Sequence, residues 1–148
     1  MLTETLITLF KRDLNRLKYE IELYKNEANI WIVDGDISNS AGNLCLHLIG
    51  NLNTYIGATL GGTDYIRNRP LEFSLKNIAQ QELISRIEET IIVIEGSLEK
   101  VTQTEIEEEY PMLVLEQKTS TAFFLVHLAT HLGYHLGQVN YHRRLLDK

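Results

Sequence analysis

Apolar positions along the chain fall into four stretches with helical spacing. Residues 3–26 carry Leu6, Leu9, Phe10, Leu14, Leu17, Ile21 and Tyr24 at intervals of mostly three and four, with charges on the opposite face. This predicts an amphipathic helix, with Thr3 or Thr5 as its cap. In residues 38–60, Leu44, Leu48, Leu52 and Tyr55 form one stripe and Leu46, Ile49, Ile56 and Leu60 a second. A helix apolar on most sides is buried on most sides. Ser38 or Ser40 fits its N-cap, and Gly61-Gly62 its end. Residues 80–102 give the cleanest pattern, with Leu83, Ile87, Ile91, Ile94, Leu98 and Val101. A last long helix runs from 118 to about 146.

Between these stretches, Asp34-Gly35-Asp36 reads as a turn, with Trp31 anchoring the preceding loop on the core. Residues 61–79 lack periodicity, and so long a connection suggests a crossover or a functional loop. EIEEEYP, 105–111, reads as a solvated acidic loop, and MLVLE, 112–116, as a short extended piece. Four helices with one long middle connection predict an all-α four-helix bundle in a single domain, 1–148.

Composition narrows the function classes. A chain of 148 residues that is 44% hydrophobic can bury a sizeable core without disulfides or a structural metal. The net charge of −6, with scattered Lys and Arg, argues against a nucleic-acid binder, which needs clustered cations. No run of about 18 apolar residues predicts a membrane span. Charges at Glu4, Lys11, Arg12 and Asp13 interrupt the first segment, so no signal peptide is expected. The single cysteine, Cys45, cannot form an internal disulfide and reads as a small buried hydrophobe. A cytoplasmic location is the resulting expectation.

Three of the five histidines, His127, His131 and His135, are spaced four apart on the last helix. Residues four apart sit only about 40° out of line on an α-helix. His131 and His135 can therefore point at one atom, as the paired histidines of metal helices do, although no Glu follows His131 to make a metalloprotease motif. His127 could replace His135 in the pair. A third ligand would come from a facing helix, and His47, flanked by core residues in LCLHLIGNL, is the candidate. Asn43 and Asn51, four residues either side of His47, are candidates to hydrogen-bond its other ring nitrogen. Gln138 follows His135 on the same face and is a candidate to orient a ligand or a water. His142, beside Arg143 and Arg144, fits a favourable interaction with the helix C-terminus. Arg67 and Arg69 are candidates for recognising an anionic substrate or thiol, against the plainer reading of caps or surface ion pairs.

The pattern NSAGNLCLHLIGNL, then YIRNRPLEFS, then THLGYHLGQVNYHRRLL, resembles the DinB-like (DNA-damage-inducible, YfiT-like) bacterial superfamily over most of the chain. The resemblance implies a four-helix bundle with a long crossover, commonly a homodimer. It implies a metal on one His of the second helix and on an H-x-x-x-H-x-G-Q pair of the last. His47, His131 and His135 match, because Gly137 and Gln138 follow His135, and His127 falls outside the pattern. Members with known activity are thiol-dependent S-transferases, isomerases or hydrolases. The expectation is a metal-dependent transferase or hydrolase, with Zn or Ni as cofactor, a low-molecular-weight thiol as a further candidate cofactor and a small-molecule substrate. The rival expectation is a non-catalytic dimeric metal-binding bundle.

Overall fold

The computed structural model describes all residues 1–148 and is built of helices without strands. Four long helices form the bundle: α1 (Leu2–Glu22), α2 (Ala41–Leu52), α4 (Gln80–Glu99) and α6 (Thr121–Leu146). Two short ones lie in the connections: α3 (Arg69–Ser74) and α5 (Gln103–Glu107). α1 packs on α4 and α6, and α2 packs on the same two. α1 and α2 therefore occupy opposite corners of the bundle. The 28 buried apolar residues of these faces and their loops form one contiguous cluster, so a single core holds all four long helices.

The helix ends follow local chemistry. Ser40 caps α2 by accepting from the Asn43 N–H at 3.1 Å, so Ser40 and not Ser38 is the cap. α1 starts at Met1 without a side-chain cap; Thr5 instead hydrogen-bonds back to the Met1 carbonyl, and Thr3 plays no capping part. It stops at Glu22, short of the expected 26, and a 3₁₀ turn over Glu27–Trp31 follows. Asp147 fixes that turn from the far end of the chain, accepting from the Lys25 and Asn26 N–H groups and the Asn29 amide. Trp31 is buried, its ring lying where a side chain on Gly42 would have to go. Asp34-Gly35-Asp36 makes the expected turn, with Gly35 at φ +57°.

Beyond Leu52 the helix does not stop but widens. Asn53–Ala58 form a π-helical turn, in which the Thr59 N–H reaches the Thr54 carbonyl at 3.1 Å and the Gly61 N–H reaches Ile56 at 2.9 Å. Asn53 is buried and held by the Ile49 carbonyl and Thr90. The chain then turns through Gly62 at φ +70°.

Residues 61–79 contain α3, which the sequence pattern missed: Asn68 accepts from the Leu71 N–H and Pro70 occupies the first turn. The acidic run is also partly helical. Thr102 and Glu105 form a capping box that starts α5 at Gln103 and carries it into the expected 105–111 loop as far as Glu107. MLVLE makes no strand. The 109–120 loop is instead pinched at its base, where Tyr110 N–H bonds Thr119 O and Thr121 N–H bonds Glu108 O, both at 2.8 Å. α6 accordingly begins at Thr121, three residues later than expected, with Ser120 as its cap. No helix is long and apolar enough to cross a membrane.

Candidate metal centre

α2 and α6 pack side by side and bring His47, His131 and His135 together, with one ring nitrogen from each lying within 4.8 Å of the others. Nε2 of His131 is 3.3 Å from Nε2 of His47 and 3.1 Å from Nε2 of His135. The three rings are set edge to face, with interplanar angles of 84–86°. His127 is left out. Its ring lies parallel to His131, with centroids 6.4 Å apart, and stacks on Phe124.

The other nitrogen of each ring fixes which one carries the proton. Nδ1 of His47 is 3.1 Å from Glu72 Oε1. A carboxylate only accepts, so His47 donates from Nδ1 and presents a lone pair at Nε2. Nδ1 of His135 is 2.6 Å from Gln138 Oε1, which places a lone pair on Nε2 of His135 by the same logic. Only His131 can carry its proton on the inner nitrogen, and one proton serves one neighbour. A cation among the three nitrogens would satisfy all of them. Nδ1 of His131 is buried without a hydrogen-bond partner.

Burial favours the neutral form of His47 and His131. Burial and, after it, the two other histidines of the triad push the His131 imidazole down to about 4. Burial also lowers His47, against the opposing pull of Glu72. Neutral imidazole is the form that binds metal.

Glu72 is the residue that the sequence reading missed. It sits on α3, buried, and Arg67 grips it through Nε to Oε2 at 2.8 Å and Nη2 to Oε1 at 2.9 Å. The expected partners of His47 do something else. Asn43 is fully buried and ties α2 to the crossover, donating to the carbonyls of Glu72 and Leu75 and accepting from Ser40 and Lys76. Asn51 makes no hydrogen bond to His47, and its Oδ1 is buried without a partner. The available signal for Glu72 was indirect: Asn68 and Pro70 announce a helix start, and Gly50 leaves room. A Cβ on Gly50 would lie 2.6 Å from Glu72 Cδ and closer still to Oε2.

The remaining candidates separate clearly. Gln138 orients His135 as expected. Arg67 is committed to Glu72, while Arg69 is exposed, with its guanidinium 5.2 Å from the Phe73 ring centre. Cys45 is buried, its thiol pushed up to about 12 by burial, which leaves it inert. His142 does not serve the helix dipole as a cation. It is buried between Tyr24 Oη at 2.6 Å and the Ile32 carbonyl at 2.8 Å, and burial lowers its pKa. Beside the triad, a cleft of about 780 Å³ runs between the Asp34–Asn39 loop and the C-terminal half of α6, with His135 and Gln138 in its wall.

Fold and site together define an all-helical bundle carrying a half-buried three-histidine cluster next to a cleft. The chain belongs to the family described as "Protein of unknown function (DUF1572)", whose model matches residues 4–148. No curated protein matches it.

Proposed function

We propose that the protein is a single-domain, metal-dependent enzyme of the DinB-like superfamily, in which His47, His131 and His135 hold a divalent ion, Zn or Ni. The observation that carries this is the convergence of three Nε2 atoms, two of them fixed as lone-pair donors by Glu72 and Gln138. The segments that resemble the superfamily are the ones that supply the triad.

A divalent ion on three neutral imidazoles keeps its full charge and lowers the pKa of a coordinated water or thiol. The protein's residues prepare that centre. Glu72 sets the tautomer of His47, Arg67 holds Glu72 in place, and Gln138 holds His135. Cys45 is sealed in the core. The nucleophile is therefore water or an exogenous low-molecular-weight thiol, which gives a hydrolase or a thiol-dependent S-transferase. The commitment of Arg67 to Glu72 favours water, since that cation is already paired.

Metal content tests the reading. His47→Ala and His135→Ala, purified without an affinity tag, should each lose the ion, while His142→Ala keeps it. Full occupancy in both His47→Ala and His135→Ala overturns the triad.

We also propose a homodimer. Phe123 and Val126, outside the cleft lining, stand exposed near the start of α6, so this end of the helix keeps an apolar face outside the core.

A further inference from the structure

The cleft beside the triad has a chemical character of its own. Its floor and walls are apolar and aromatic, with Ile37, Leu44, Tyr134, Tyr141 and Leu145 among them. Its size suits a small organic molecule. The charged groups in its lining other than histidine are Asp34 and Asp36, and neither Lys nor Arg lines it. Of the nearby cations, Arg143 pairs with Glu20 at 2.7 Å, while Arg144 covers one face of the cleft's own Tyr141 ring, 5.3 Å from its centre.

The loop that carries these two exposed residues is fastened through its backbone. Ile32, two residues before Asp34, accepts from His142 Nε2 at 2.8 Å, which fastens the loop to α6. Asp34 itself closes the turn, its carbonyl taking the Ile37 N–H at 3.3 Å, and Gly35 permits that turn through its positive φ. One end of the cleft thus carries negative charge on a fastened loop. His135 and Gln138, which belong to the metal centre, line the same cleft.

From this arrangement we infer that the cleft binds a small molecule with an apolar or aromatic body and a protonated amino group, the ammonium lying toward Asp34 and Asp36 and the body against Tyr134 and Tyr141. The inference rests on the proposed metal enzyme only for the chemistry done to that molecule; the binding preference follows from the cleft alone. An anionic ligand of the same shape meets like charge and is disfavoured.

The test uses three probes of matched shape: 4-phenylbutylamine, 4-phenylbutanol and 4-phenylbutyrate. Binding is measured by calorimetry on the full chain after chelator treatment, so that no metal contributes. The amine should bind roughly fivefold more tightly than the alcohol, as expected for two partly exposed carboxylates, and the carboxylate more weakly than the alcohol. Asp34→Asn with Asp36→Asn should erase the preference for the amine and leave the alcohol unchanged. Tyr141→Ala should weaken both amine and alcohol. His131→Ala should leave amine binding intact, so loss of metal in that variant with amine binding retained separates the centre from the cleft. Equal binding of the three probes, or an amine preference that survives the double Asp variant, overturns the inference, whatever the metal measurements give.

Discussion

Gly50 is the most informative residue to change, because it is not one of the three histidines and bears on them through Glu72. A Cβ at this position would stand 2.6 Å from Cδ of Glu72, whereas ordinary contact begins near 3.4 Å. Oε2 would come closer still, so the carboxylate must retreat by more than about 0.8 Å or leave. A retreat of that size carries the His47 Nδ1 to Glu72 Oε1 hydrogen bond from 3.1 Å out of range. His47 then loses the acceptor that fixes its tautomer, and its Nε2 no longer presents a lone pair in every molecule. Loss of such a supporting partner costs 10–100-fold in metal affinity, or about 1.4–2.7 kcal/mol. Gly50→Ala should thus bind Zn 10–100-fold more weakly in competition with a chromophoric chelator, with all three histidines intact. Gly96→Ala is the control. Nothing lies within 4 Å of its would-be Cβ in α4, so it should leave affinity unchanged and gain up to about 1 kcal/mol in stability. If Gly50→Ala folds and binds Zn like the parent, Glu72 does not support the ligand and the reasoning fails.

Other outcomes follow from the same structure. Tyr24→Phe should cost about 1–3 kcal/mol in urea unfolding, because it leaves Nδ1 of buried His142 without a donor. His131 and His142 both have pKa values below the usual histidine range in the folded chain, so the unfolded chain takes up protons first as pH falls. Metal-free protein should therefore lose stability as pH drops from about 6.5 toward 4, the value His131 reaches; His142→Gln should flatten part of that slope, and a flat profile in the parent would refute the neutral assignment. Light scattering at micromolar concentration should give about twice 17.0 kDa, and a monomer mass would refute the dimer. Cobalt-substituted protein titrated with a thiol such as bacillithiol should show a sulfur-to-metal band in the near ultraviolet if thiol is the nucleophile, and an unchanged spectrum leaves water.

Three of the long helices were legible because each runs for five or more turns, and α2 because it is apolar on most sides. α3 and α5, with 6 and 5 residues, are too short to show a period, and only their caps betray them. The same contrast holds at the site. His131, His135 and Gln138 lie on one helix, so spacing alone relates them. Glu72 reaches His47 across 25 residues of chain and through an aperiodic segment, a relation that exists only after folding. Asn43 stood out as a polar residue on an apolar helix, but its role in fastening the crossover depends on carbonyls at Glu72 and Leu75 that spacing cannot locate.

The widened turn at Asn53–Ala58 has a consequence for how this chain tolerates changes in length. A π turn is an α-helix with one residue too many, so deleting a single residue there should let an ordinary helix run on from α2. His47 lies before the turn and would keep its place. Everything after it would keep nearly its present direction, because the widened turn absorbs the surplus residue within itself. Gly61 would stay against Ser97, close enough that no side chain fits between them. Arg67 and Glu72 would still reach His47. The same deletion inside α2, between His47 and Leu52, would instead swing the crossover by about 100° and misplace the latch on the centre.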